Sequence, residues 1–315
     1  MRKLFQLFML ISLSMLVFVA CSANDNGNNA SKNIKDTLRV VTTFTLLEDI
    51  VREIGGENVE VYNLVPIGTD PHEYDPLPND IKAATDADVI FYNGLNLEGG
   101  ESGWLAKMLT AVNKEWDDTY KLTEGVEPLY LTDDEGRNEE INPHAFLDPH
   151  VGIQMVENAR DAFIEIDPEN EEYYIENAEQ YITELEDVAL QYEEKVNDIQ
   201  EENRILITSE RAYQYVADRY GLQEGYIWAI DTEEAGSPEQ LKSLVEFIER
   251  ENPPVLFVET NVDKRPMETV AEETGVEIYG EIYSDEIGSP GEEGDTYLKF
   301  LQYNIDVIHA GLTSK

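Results

Sequence analysis

Between Tyr174 and Ile199 the chain repeats apolar side chains at spacings of three and four without a break: Tyr174, Ala178, Tyr181, Leu185, Val188, Tyr192, Val196 and Ile199. At 3.6 residues per turn these fall on one stripe of a helix about eight turns long. Asp167 is placed to cap it, Pro168 suits its first turn, and a strand-like run from Arg204 ends it. A rod of that length constrains whatever is built around it. Before it, residues 38–43, 59–64 and 88–92 are short apolar runs of strand character; after it come 204–208, 226–230, 255–259 and 277–281. Helical patterns such as 45–54 and 238–251 lie between them. This βα alternation implies parallel sheets covered by helices on both faces. The expected fold is α/β, with two lobes, each a mainly parallel sheet flanked by helices, joined by one long rigid helix. A helix so long acts as a strut rather than a flexible hinge; a surface helix on a single domain is the competing reading. The final helical pattern, 296–311, carries Leu298, Leu301, Ile305 and Ile308 on one face and closes the second lobe.

The amino terminus has a different character. Arg2 and Lys3 precede an apolar run from Leu4 to Phe18, too short for a comfortable membrane span, and Ala20 precedes the only cysteine, Cys21. The pattern is that of a signal peptide ending at a lipidated cysteine. Phe18 stands where the lipidation motif usually has leucine, and an ordinary cleaved signal with an incidental cysteine is the alternative. Residues 22–35 are rich in Asn, Ser, Gly and Asp, as befits a flexible tether. With one cysteine no intramolecular disulfide can form. The expected division is signal peptide 1–20, lipidated Cys21 and tether 21–36, amino-terminal lobe 37–166, linking helix 167–201 and carboxy-terminal lobe 202–315. The formal charge of −44 argues against nucleic acid, which is bound through basic patches. It suits a surface exposed to high salt or alkaline surroundings, where self-repulsion is screened.

The chain has four histidines, and two sit on stiff, turn-rich segments directly after proline: Pro71-His72 and Pro143-His144. Proline restricts the backbone on either side of itself, so both imidazoles are firmly presented, as a transition-metal site requires. In open α/β sheets ligands bind beyond the carboxyl ends of the strands. His72 follows the second strand pattern of the first lobe and His144 lies beyond its last. Glu210 comes directly after the first strand pattern of the second lobe, and Asp285 after its last. Two imidazoles from one lobe thus face two carboxylates from the other. Taken singly each is weak, since a strand-end carboxylate is more often a helix cap and a His after Pro more often a turn residue. His150, at a helix start, and His309, in the last helix, read as surface or packing residues.

These segments resemble the metal-binding solute-binding lipoproteins of ABC transporters for manganese and zinc, the TroA-like family, over essentially the whole mature chain of 315 − 20 = 295 residues. Residues 68–74, Gly-Thr-Asp-Pro-His-Glu-Tyr, resemble the first ligand motif of that family, and residues 92–98, Tyr-Asn-Gly-Leu-Asn-Leu-Glu, its strand-end signature. Residues 143–149, Pro-His-Ala-Phe-Leu-Asp-Pro, resemble the second ligand motif, with Asn142 where Asp is common. Residues 208–213, Thr-Ser-Glu-Arg-Ala-Tyr, resemble the third, where zinc importers usually carry His in place of Glu210, and Asp285 with residues 294–297 resembles the fourth. The resemblance implies a metal ion held in the cleft between the lobes by His72, His144, Glu210 and Asp285, and its delivery to the membrane permease of an ABC importer. It further implies a monomer anchored by lipid on the extracytoplasmic side of a bacterial cell membrane.

Two imidazoles with two carboxylates are a borderline-to-hard ligand set that suits Mn2+ or Fe2+ better than a tetrahedral zinc site, although Zn2+ outranks manganese in raw affinity. The expected cargo is Mn2+, with Zn2+ or Fe2+ as alternatives. A metallohydrolase is the enzymatic alternative, but four protein ligands leave little room for the open position hydrolysis needs, and no His-Glu-x-x-His segment occurs. The reading is a receptor, not an enzyme. A surface adhesin is a third class, and no adhesive repeat supports it.

Overall fold

Four short strands, β1 (Leu38–Thr42), β2 (Val59–Asn63), β3 (Val89–Tyr92) and β4 (Thr119–Lys121), pair in parallel in the order β2-β1-β3-β4. The computed structural model describes residues 37–132, 139–230 and 236–314. Cys21, the signal segment 1–20 and the tether 21–36 lie outside the described residues. The chain leaves β1 toward β2 on one side and later returns to place β3 on the other. The connections therefore diverge at the carboxyl ends of β1 and β3, the position where this kind of sheet opens a crevice. Helix α1 (Thr45–Gly55) covers the sheet because Leu46, Leu47, Ile50, Val51 and Ile54 recur on one face, and all are buried. Helices α2 (Pro78–Asp86) and α3 (Trp104–Ala111) follow β2 and β3. A small antiparallel pair, β5 (Tyr130–Thr132) with β6 (Glu139–Ile141), precedes α4 (Pro149–Ile166). Asp148 caps α4 by accepting from the His150 backbone N–H, and Pro149 fills its first position.

The long helix is present as α5 (Glu171–Asp198), and every member of the stripe from Tyr174 to Ile199 is buried. Its start differs from the expectation. A 3-10 turn, Pro168–Asn170, intervenes, and Asp167 does not cap the α-helix through the backbone. Its carboxylate instead accepts from the Tyr174 hydroxyl at 2.8 Å and from the Asn170 amide, so it joins the end of α4 to the first turn of α5.

After α5 the arrangement is repeated. β7 (Ile205–Glu210) pairs in parallel with β8 (Gln223–Trp228), and β9 (Leu256–Glu259) with β10 (Ile278–Ile282). β7 and β9 lie side by side. The Glu259 carboxylate accepts from the backbone N–H groups of Ser209 and Glu210 at 3.0 and 2.9 Å, bridging the two strand ends where they part. All six residues of β7 are buried, as in a central strand covered on both faces. β8 starts earlier than the apolar run implies, because its polar first residues are usable: Glu224 pairs with Arg211 at 3.1 Å. Helices α6 (Gln214–Tyr220), α7 (Pro238–Glu251), α8 (Arg265–Thr274) and α9 (Tyr297–Leu312) cover these strands. α7 has a reciprocal cap between Ser237 and Gln240 and ends at Asn252, which takes the left-handed conformation at φ 54°.

One continuous apolar core runs through both sheets. It joins Val40 and Phe91 to Phe163 and Tyr192, and these to Phe257, Tyr297 and Leu301. A smaller one, with Ile207, Trp228, Leu244, Val258 and Met267, lies on the other face of the second set of strands. Side chains along α5 hold elements on both sides of it: Tyr181 donates to Asp49 of α1 at 3.1 Å, and Tyr192 to the Leu301 carbonyl of α9 at 3.0 Å. Among the described residues no helix is long and apolar enough to cross a membrane.

Candidate metal centre

His72 stands on the loop after β2. The loop turns at Gly68, whose φ of 81° is open to glycine but strained for other residues. The Asp70 carboxylate accepts from the His72 backbone N–H at 2.7 Å, closing a tight turn around Pro71. Trp104 of α3 donates its indole N–H to the Pro71 carbonyl at 2.8 Å, and its ring packs edge-on against Tyr74. Tyr74 in turn donates to Asp80 at 2.7 Å. The backbone on either side of His72 is therefore held from α2 and α3, and its ring is left pointing at the crevice.

His144 opens a 3-10 turn, His144–Leu147, and is fully buried. Both its backbone N–H and its Nδ1 meet Asn142 Oδ1, at 3.0 and 2.8 Å. On its other side the Asn142 amide nitrogen donates to the Arg211 carbonyl at 2.8 Å. A backbone N–H only donates and a carbonyl only accepts, so a flipped amide would create two like-with-like contacts; the orientation of Asn142 is unique. Nδ1 of His144 then carries a proton, and Nε2 is the ring atom aimed into the crevice. Asn93, after β3, donates to the Pro143 carbonyl at 3.1 Å and supports the same segment.

Glu210 is the last residue of β7, buried, with its backbone N–H fixed by Glu259. Asp285 follows β10 and is also buried. Asn261 donates to its Oδ2 at 3.1 Å, which turns Oδ1 inward. The four residues meet at one point. His72 Nε2 and His144 Nε2 are 3.3 Å apart; Asp285 Oδ1 is 3.1 Å from the latter and 4.0 Å from the former; Glu210 Oε1 is 3.7 Å from His144 Nε2. His72, His144 and Glu210 each offer a donor atom within 4.8 Å of the other two. An ion with bonds of ~2.1 Å sets neighbouring donors ~3.0–3.4 Å apart; the His72–His144 and His144–Asp285 distances fall in that range, while Glu210 at 3.7 Å and the His72–Asp285 pair at 4.0 Å stand wider and would draw in around a small divalent ion.

Electrostatics agree. Burial would raise the Asp285 carboxyl, but the His144 and His72 imidazoles facing it and the Asn261 amide outweigh burial and hold it below the ordinary carboxylate range. Burial pushes the Glu259 carboxyl up to about 7, against the lowering effect of the two N–H groups it accepts. Glu98, buried in the equivalent place between β1 and β3, is likewise raised by burial; it accepts from the Thr43 hydroxyl and the Asn93 N–H, each at 2.7 Å. Neither of these two carboxylates belongs to the cluster; each staples a strand end beside it.

All four ligand residues expected from strand ends converge. His150 and His309 do not join them: His150 is exposed at the start of α4, and His309 lies 2.8 Å from Asp198 at the end of α5. The supporting residues Trp104, Asn261 and Glu259 act on segments distant in sequence, while Glu98 closes the strand-end segment 92–98 on itself by accepting from the Asn93 and Gly94 N–H groups. Asn142 is visible in the sequence as a departure from the pattern around His144.

Residues 40–311 match the family described as zinc-uptake complex component A, periplasmic. The chain is 41% identical over 315 residues to the manganese ABC transporter substrate-binding lipoprotein PsaA of Streptococcus mitis, with 99% of each chain covered. The manganese-bound periplasmic metal binding protein of Candidatus Liberibacter asiaticus superposes with a TM-score of 0.78 at 28% identity, over 87% of this chain and 98% of that one. The periplasmic zinc binding protein TroA of Treponema pallidum does so with a TM-score of 0.78 at 25% identity, over the same shares.

Proposed function

The chain belongs to the family of periplasmic zinc-uptake component A proteins, and on that premise we propose that it is the metal-capturing receptor of an ABC importer, with Mn2+ as its cargo. The observation that carries this is the meeting of two imidazole nitrogens and two carboxylates at one buried point between the strand ends of the two sheets. His72, His144, Glu210 and Asp285 are the ligands in this reading. Two nitrogen and up to four oxygen donors allow a coordination number above four, which manganese accepts and a tetrahedral zinc site does not need. Zn2+ and Fe2+ are bound by the same donors, and selectivity lies in how the site closes rather than in raw affinity. The receptor holds its cargo without transforming it and passes it to a membrane permease.

Its place follows from the amino terminus. We propose that Cys21 is lipidated, that residues 22–35 tether the body, and that a single chain works on the extracytoplasmic face of the cell membrane. The test is elemental analysis of protein purified without added metal, followed by competition of Mn2+ with Zn2+ at equilibrium. About one manganese per chain, with binding lost in His144→Ala while the thermal transition of the metal-free protein persists, supports the reading. A His144→Ala variant that binds manganese like the parent removes His144 from the site and the reading with it.

A further inference from the structure

Asn142 does more than orient one histidine. Every hydrogen-bonding group it has is used, and the residue is fully buried. Its backbone N–H donates to the Leu129 carbonyl at 2.8 Å, and its carbonyl accepts from the Tyr215 hydroxyl at 2.9 Å. Oδ1 takes both N–H groups of His144, and the two protons of Nδ2 go to the Arg211 carbonyl at 2.8 Å and to Gln214 Oε1 at 3.0 Å. Arg211 is the residue after Glu210. Its own side chain is anchored on β8, where Glu224 accepts from its Nη2 at 3.1 Å and the Tyr226 ring lies 5.2 Å from the guanidinium. One planar amide therefore spans the distance from His144 to the turn that carries Glu210.

We propose that Asn142 is a positioning residue that ties these two ligands into one unit and so governs how fast bound metal leaves. The inference rests on the receptor reading above. A site whose ligands come from separate segments loses its ion when one segment moves away from the other. Here the first such movement must break the Asn142–Arg211 bond, whose donor belongs to a fully buried side chain with no other acceptor at hand for that proton. Aspartate at this position would keep the acceptor for His144 but would have no donor for the Arg211 carbonyl. Gln214 can rotate its amide to suit a carboxylate; a backbone carbonyl cannot become a donor. Asn142→Asp thus separates two roles that Asn142→Ala would remove together.

The experiment mixes manganese-loaded protein with an excess of a metallochromic chelator in a stopped-flow instrument and follows the absorbance of the Mn2+–chelator complex as metal is released. Asn142→Asp is expected to release metal about tenfold faster than the parent. Nitrogen NMR should still find the His144 proton on Nδ1. A residue that only supported the fold would lower the melting temperature of the metal-free protein and leave the release rate alone; that result overturns the inference. If Asn142→Asp does not fold, Gln214→Ala keeps the His144 contact and removes one of the two bonds to the turn. It should accelerate release by a smaller factor, and an unchanged rate again overturns the inference. Parent protein that takes up no manganese overturns the receptor reading and this inference together. Parent that binds, with variants that release at its rate, overturns this inference alone.

Discussion

Asp49 is a carboxylate in an awkward place, and replacing it should make the protein more stable. It sits on α1, half-buried, and its Oδ2 accepts from the Tyr297 backbone N–H at 2.8 Å and the Tyr181 hydroxyl at 3.1 Å. Three helices, α1, α5 and α9, thus meet on one oxygen. Burial raises its carboxyl from the ordinary 3.8 to about 6; the two hydrogen bonds lower it less, and nearby Glu53 and Glu48 add to the rise. The sign follows from proton linkage. The folded state holds the proton more tightly than the unfolded state, so folding gains stability as pH falls from about 6 toward 3.8, and loses it as pH rises through that window. At ~1.4 kcal/mol per pH unit the full difference is ~3 kcal/mol, and solvent screening of a partly exposed group reduces it to ~1–3 kcal/mol. Asp49→Asn leaves an oxygen to accept both donors and removes the charge. At pH 8 the variant should melt roughly 2–10 °C above the parent, and the two should converge near pH 4. Differential scanning calorimetry of metal-free protein at both values decides it. A variant less stable than the parent at pH 8, or a gap that persists at pH 4, refutes the assignment of the penalty to Asp49 ionisation.

Three further outcomes are expected. Glu210→His exchanges an oxygen donor for nitrogen and should shift preference from Mn2+ toward Zn2+, read by equilibrium competition; an unchanged ratio counts against ligand chemistry as the basis of selectivity. Trp104→Phe keeps the ring against Tyr74 and deletes the indole bond to the Pro71 carbonyl, so manganese affinity should fall by roughly three- to tenfold without loss of fold, as measured by chelator competition. Mass spectrometry of membrane-extracted protein should find acyl mass on an amino-terminal peptide that begins at Cys21, and a free thiol there would refute lipidation.

The features legible in the sequence are those whose signal is local. The stripe of α5 repeats along one helix face, and the pattern over 238–251 coincides with α7, so periodicity suffices. The convergence of His72, His144, Glu210 and Asp285 was legible for a related reason: strand ends are where an open α/β sheet puts its site, whatever the loops do. The three-residue strands β4, β5 and β6 were not, because so short an element carries no period and owes its existence to its neighbour. Nor were the contacts that orient the converging residues, even where a residue such as Asn142 stood out by itself. Asn142 and Arg211 are 69 residues apart, Trp104 and Pro71 are 33 apart, and nothing in either segment announces the other. Asp167 shows the opposite error: a good capping residue by composition was drawn to the tyrosine one helix further on.

The apolar core that runs unbroken from Val40 to Leu312 has a consequence for how the molecule comes apart. Neither sheet owns a complete interior. The upper part of α5, with Tyr174, Ala178 and Tyr181, finishes the packing of one, and its lower part, with Tyr192 and Val196, that of the other. An ion that bridges His72 and His144 on one side and Glu210 and Asp285 on the other therefore adds its binding free energy to the packing on α5 that joins the two halves.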